Sequence, residues 1–164
     1  MAINAKLIAE IRFDFSTGSD TEENHFENDE EFWNWFQENA NEYSVCQEED
    51  TSFSNQDNLP GNCFGNSQRL SLQNDIDYCE GFLKVKGTFI FHGFNVRNNC
   101  VIDSTIQSNP ENFSDDKGNI PTEYYGVIIP NDFLDNCTDL DIIENYINKP
   151  SQLYEYYLNS KDQD

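Results

Sequence analysis

Residues 82–106 read FLKVKGTFIFHGFNVRNNCVIDSTI, and their punctuation decides the fold. Residues 82–86 predict a strand, and Gly87 permits a tight turn after it. Residues 88–96 are apolar on both faces, the pattern of a central strand. Asn98 and Asn99 tolerate the positive φ of a two-residue hairpin turn. Residues 100–106 then predict a third strand. Strands joined by turns this short run antiparallel.

Working outward, a loop with Pro110, Gly118 and Pro121 separates this cluster from a last strand at 124–129. Beyond it, Thr138 is a helix N-cap for a face of Leu140, Ile143 and Ile147, and Pro150 ends that run. Leu153, Tyr154, Tyr157 and Leu158 predict a second short helix. Upstream, Leu59-Pro60-Gly61 signals a turn, and residues 63–73 predict a helix. Phe32, Trp33, Phe36, Ala40 and Tyr43 recur at helical spacing, behind an N-cap at Asn28 and a capping-box partner at Glu31. Leu7, Ala9, Ile11, Phe13 and Phe15 alternate with Lys6, Glu10, Arg12 and Asp14, which predicts a half-exposed strand. The expected fold class is α+β, an antiparallel sheet with helices packed on it. One domain over 1–164 is expected, with 58–130 as a catalytic-like core flanked by 1–57 and 131–164.

The 164 residues carry 13 Phe, 8 Tyr and 2 Trp, enough apolar surface for a core without a metal. No apolar run approaches the ~20 residues of a membrane span, and residues 1–15 lack signal-peptide architecture. Five cysteines, at 46, 63, 79, 100 and 137, contain no CxxC pair. The reading is reduced thiols in a cytoplasmic protein, with no disulfide framework and no structural metal. Asp132, Asp135, Asp139 and Asp141 fail as a calcium loop, because Leu140 and Tyr146 stand where Gly and Glu are needed.

The formal net charge is −22, unevenly spread. Residues 16–57 hold 13 acids and no base, whereas residues 58–100 sum to +1. Such a field repels nucleic acid and anionic membranes, and favours basic partners. The acids of the aromatic helix, Glu30, Glu31, Glu38 and Glu42, are expected to face outward.

The near-neutral segment carries the candidate chemistry. Cys63 follows Pro60-Gly61-Asn62 and opens a predicted helix, where the helix dipole and unpaired amides favour thiolate. Those amides can also stabilise an oxyanion. Asn62, Asn58 and Gln56 are candidates for a second donor. His92 lies inside an apolar strand, where it needs a partner. With a two-residue turn at Asn98-Asn99, His92 faces Thr105, and Asp103 shares its sheet face at a diagonal of roughly 7–8 Å. A thiol, an imidazole and a carboxylate so placed have the logic of nucleophile, base and orienting acid.

Gly61-Asn62-Cys63, Glu80-Gly81-Phe82, His92-Gly93-Phe94-Asn95 and Val101-Ile102-Asp103-Ser104-Thr105 together resemble the transglutaminase-like core of the papain-like superfamily. The resemblance covers about residues 60–106 and extends to Tyr124-Tyr125-Gly126. Phe94 stands where Trp is usual, and Cys63 and His92 are unusually close in sequence. The resemblance implies a papain-like core and catalytic roles for Cys63, His92 and Asp103. It also implies acyl chemistry without a cofactor, on a peptide or amide substrate, by hydrolysis or transfer. The competing expectation is an acidic inhibitor or binding protein that captures a basic partner, on a degenerate form of the same fold.

Overall fold

A computed structural model describes residues 3–17, 26–46, 62–137 and 151–164. The described elements are helices α1 (Ala5–Thr17) and α2 (Glu30–Asn39), strand β1 (Asn41–Tyr43) and helix α3 (Cys63–Gln73). Strands β2 (Asp77–Val85), β3 (Thr88–Arg97) and β4 (Cys100–Ile102) follow, then helix α4 (Ser104–Ser108). A 3₁₀ turn (Pro110–Asn112), strand β5 (Tyr124–Ile129), helix α5 (Asn131–Cys137) and helix α6 (Leu153–Lys161) complete the order. The turn at Leu59-Pro60-Gly61, His25, Asn58, Gln56 and the helix expected over Leu140, Ile143 and Ile147 lie outside the described residues.

The five strands form one antiparallel sheet in the order β1-β5-β2-β3-β4. Lys86 and Gly87 have φ of 50° and 83°, and Asn98 and Asn99 have φ of 54° and 63°. Both hairpins are therefore two-residue turns with positive φ at both positions, whose twist matches the flanking strands. The second turn sets Arg97 opposite Cys100 and Asn95 opposite Ile102. Strand β3 is interior, paired with β2 and β4, and β2 stands in the middle of the order. At the β2–β5 junction Gly81 faces Gly126, and a β-carbon on Gly81 would overlap the Tyr125 carbonyl oxygen. The two glycines permit that backbone approach.

One sheet face carries Tyr78, Phe82, Phe89, Tyr125, Val127 and Ile129, packed with residues of α1, α2 and α6. Phe32, Trp33 and Phe36 of α2 are each at most 1% exposed and pack, tilted or edge-on, against Phe26 and Phe82. Asp29 caps α2 by accepting from the amides of Glu31 and Phe32, one residue later than the sequence suggests. The aromatic stripe is core, but the helix ends at Asn39, and Tyr43 sits in β1. The other face carries Cys79, Leu83, Phe94, Val96 and Tyr124, covered by Ile106, Phe113 and Ile120.

Two expectations are overturned. The segment 5–17 is a helix, not a strand. Asn4 Oδ1 accepts from the Leu7 amide at 2.9 Å and starts it. Ile8 and Ile11 are buried, with Leu7 and Phe15 packed beside them, while Phe13 is 68% exposed. The alternating apolar residues thus split between two sides of a helix. The third strand stops at Ile102, because Asp103 accepts from the Ile106 amide and turns 104–108 into a short helix.

The expected set of reduced thiols is also corrected. Cys46 and Cys100 form a disulfide, with Cα atoms 5.4 Å apart. Ser44 bridges in parallel to Cys100, and its carbonyl accepts from the Val101 amide at 2.9 Å. That pairing brings two cysteines 54 residues apart into bonding range, which spacing alone does not reveal.

Among the described residues, no helix is long and apolar enough to cross a membrane, and no group of three His, Cys, Asp or Glu could hold a metal ion.

Candidate active site

The site forms where the start of α3 meets β3 and the end of β4. Helix α3 begins at Cys63, with Asn62 as its N-cap residue. Asn62 makes no side-chain cap hydrogen bond, so the first-turn amides are not tied up by their own cap. The Asn62 carboxamide oxygen is buried and makes no hydrogen bond. It lies over Gly65, 2.5 Å from where a β-carbon would stand. Asn62 thus stays at the helix start, whereas Asn58 and Gln56 lie outside the described residues.

Gly93 allows the helix to approach the sheet. A β-carbon there would stand 2.8 Å from the Phe64 ring and 3.3 Å from the Cys63 carbonyl oxygen. Phe64 also packs on Phe91, with ring centroids 5.1 Å apart. Asn95 Nδ2 donates to the Ser67 carbonyl at 2.9 Å, and Asn66 Nδ2 donates to Thr105 Oγ1 at 2.9 Å. These bonds fix α3 along β3 and against α4.

His92 is 2% exposed and Asp103 5% exposed. His92 Nε2 and Asp103 Oδ2 are 2.7 Å apart. Asp103 Oδ1 accepts from the Ile106 amide at 3.1 Å, and Oδ2 also accepts from the Tyr124 hydroxyl at 2.9 Å. The carboxylate is thereby held by strand, helix and sheet at once. The Phe113 ring meets His92 edge-on at 5.9 Å and covers the imidazole.

The electrostatics follow from that burial. Desolvation acts to lower the His92 pKa, but the charges of Asp103 and Cys63, with hydrogen bonds to both, raise it to about 10. Gly93, the neighbour of His92, meets the Cys63 carbonyl, which sets the residue of the thiol beside the strand of the imidazole, while Asp103 engages the His92 Nε2. Cys63 is part-exposed, while the other free thiol among the described residues, Cys79, is buried. Burial, with the charges of Glu80 and Asp77, pushes the Cys79 thiol well above its ordinary value.

Of the expected set, the structure places His92 and Asp103 in contact and sets Asn62 and Cys63 at the start of the helix that meets Gly93. It adds Tyr124 and Phe113, which sequence reasoning did not assign to the site. Tyr124 had a signal, as the first residue of a strand read beside the core motifs. Phe113 had none, because its loop follows no period. A cleft of about 410 Å³ opens between the β2–β3 turn and the loop before β5, with Lys84, Lys86, Ile120 and Glu123 among its walls, and it shares Phe113 with the site.

Of the acids expected on one helix, Glu30, Glu31 and Glu38 lie on α2 and Glu42 lies on β1. Glu30, Glu31, Glu38 and Glu42 all face outward. Arg12 pairs with Glu30 and Lys161 with Glu31.

No known protein family, characterised protein or solved structure matches the chain.

Proposed function

We propose that the protein is a cysteine enzyme of transglutaminase-like type, acting on an amide or acyl group through Cys63, His92 and Asp103. The observation that carries this reading is the buried 2.7 Å contact between His92 and Asp103, with the part-exposed Cys63 opening the helix that meets Gly93 beside it. A buried imidazole with a carboxylate on one nitrogen and a thiol beside it suits nucleophilic catalysis.

In this mechanism the proton of Cys63 resides on His92, giving a thiolate and an imidazolium. The thiolate attacks the carbonyl carbon and forms a C–S bond. The oxyanion takes hydrogen bonds from first-turn amides of α3, beginning with that of Cys63, a contribution of roughly 3–4 kcal/mol per donor in known hydrolases. As the C–N bond breaks, His92 gives its proton to the leaving amine. The neutral imidazole then takes a proton from water or a second amine, which attacks the thioester and releases the thiol. Asp103 keeps Nε2–H in place throughout, leaving Nδ1 for proton transfer.

Alkylation of the full-length protein by iodoacetamide, mapped by mass spectrometry, tests the reading. Cys63 is expected to react far faster than Cys79 at neutral pH, and His92→Gln is expected to remove most of that advantage. Equal labelling of the two, or a Cys63 rate indifferent to His92, overturns it. Capture of a basic partner by the acidic helix has weaker support, since Arg12 and Lys161 already neutralise Glu30 and Glu31.

A further inference from the structure

Tyr124 opens β5 and is 1% exposed. It pairs in register with Leu83 of the central strand, and its ring packs against Phe94 at 4.9 Å. Its hydroxyl reaches Asp103 Oδ2 at 2.9 Å, the oxygen that also meets His92 Nε2 at 2.7 Å. Two donors therefore converge on one buried carboxylate oxygen.

Resting on the reading of Cys63, His92 and Asp103 as a catalytic set, we propose that Tyr124 is a positioning residue of this site: its hydroxyl turns the Asp103 carboxylate toward His92 and, by sharing the accepting oxygen, limits how tightly that carboxylate holds the imidazolium.

Both halves follow from the geometry. The Ile106 amide fixes Oδ1 through the helix cap, and the Tyr124 hydroxyl fixes the direction of Oδ2. A rigid strand and ring packing hold that hydroxyl in place. The second half follows from competition. A carboxylate oxygen that accepts from a neutral donor has less electron density to offer a cationic one. The charged groups acting on His92 are Asp103 and Cys63, both of which raise its proton affinity. A general acid gripped that firmly is slow to release its proton, since efficiency is best when its pKa lies near the working pH. Tyr124 reaches His92 through Asp103 and relaxes the grip without adding charge.

The test uses nitrogen NMR of the full chain labelled at histidine. The sequence has two histidines, His25 and His92, so assignment needs one variant. In the wild type, His92 is expected to titrate well above the ordinary 6.5. Tyr124→Phe removes a single hydroxyl and is expected to raise that midpoint by roughly 0.5–1 pH, the worth of one hydrogen bond. A His92 midpoint unchanged in Tyr124→Phe overturns the inference, even if the melting temperature falls, because packing alone does not move the titration. Should that variant fail to fold, the wild type labelled at tyrosine Cζ decides instead. One tyrosine resonance is expected to make a small step at the His92 midpoint, well short of that of an ionising phenol, and the absence of any such small step overturns the inference. A wild-type His92 near 6.5 that ignores both Asp103→Asn and Cys63→Ala overturns the underlying catalytic reading along with it. A raised midpoint that responds to those two variants but not to Tyr124→Phe overturns the role of Tyr124 alone.

Discussion

Gly93 and Phe64 lie so close that a β-carbon on the glycine would stand 2.8 Å from the ring and 3.1 Å from the Phe64 Cα. The residue beside the imidazole and the residue beside the thiol are thus in direct contact, and a single hydrogen on Gly93 sets the distance between helix and strand. Gly93→Ala is expected to push the start of α3 outward. Cys63 alkylation should slow by on the order of tenfold, the stability loss staying at about 1–3 kcal/mol because the rest of α3 is held elsewhere. Alkylation rate and urea unfolding, measured on the same sample, separate the two effects.

His92 makes stability depend on pH with a definite sign. Its folded value, about 10, lies above the ordinary 6.5. Its contribution is therefore fully present below about 6.5 and is lost as pH rises through 10. Urea unfolding from pH 6 to pH 10.5 is expected to show a decline over that window, and Asp103→Asn should flatten it. A wild-type profile as flat as that of the variant would contradict the buried ion pair.

Glu80 anchors the C-terminal helix. This buried carboxylate accepts from the Ser151 hydroxyl and from the Gln152 and Leu153 amides, at 2.5, 2.6 and 2.8 Å, as well as from the Tyr78 hydroxyl. Burial raises its pKa, and three of these donors with the fourth pull it back down. In Glu80→Gln an NH₂ group would face donors where an oxygen now accepts. The expected cost is about 2–4 kcal/mol, from unmatched buried donors. Hydrogen exchange should show α6 losing protection before the sheet does; uniform loss would mean the helix is held mainly by Tyr154 and Tyr157.

The disulfide between Cys46 and Cys100 spans 54 residues. Chain-entropy reasoning assigns a loop of that size about 4 kcal/mol, and measured losses are more often about 2–4 kcal/mol. Cys46→Ser with Cys100→Ser is expected to lower the denaturation midpoint by a corresponding amount, with Cys63 still reactive. An unchanged midpoint would show that the Ser44–Val101 pairing suffices to hold this edge.

The hairpins were legible because turn chemistry is local. Asn98-Asn99 and Gly87 specify their geometry without reference to the rest of the chain, and the register of β3 with β4 follows. The contact between His92 and Asp103 was legible for the same reason, although by a different route. Parity placed Asp103 along a strand, whereas it stands at the cap of α4. The first helix was illegible because Leu7, Ile11 and Phe15 fit a period of two as well as a period near four, and Ile8 alone broke the tie. Its packing partners lie on β3, far along the chain. Cys46 and Cys100 were illegible because a disulfide needs spatial proximity, which came from a parallel bridge of one residue. Tyr124 and Asp103 lie 21 residues apart with a loop between them, so no periodicity could join them.

The same disulfide gives the chain a covalent topology that its linear order hides. The bond from Cys46 to Cys100 closes a ring, and both Cys63 and His92 are members of it. Asp103 lies three residues outside that ring. A protease that cuts once between Cys46 and Cys100 opens the ring but separates nothing: the two pieces stay one molecule until a reductant acts. Cys63 and His92 therefore stay linked by a second covalent route that the peptide backbone alone would not give them. On a gel, a chain nicked in this interval would run as two bands only after its disulfide is reduced.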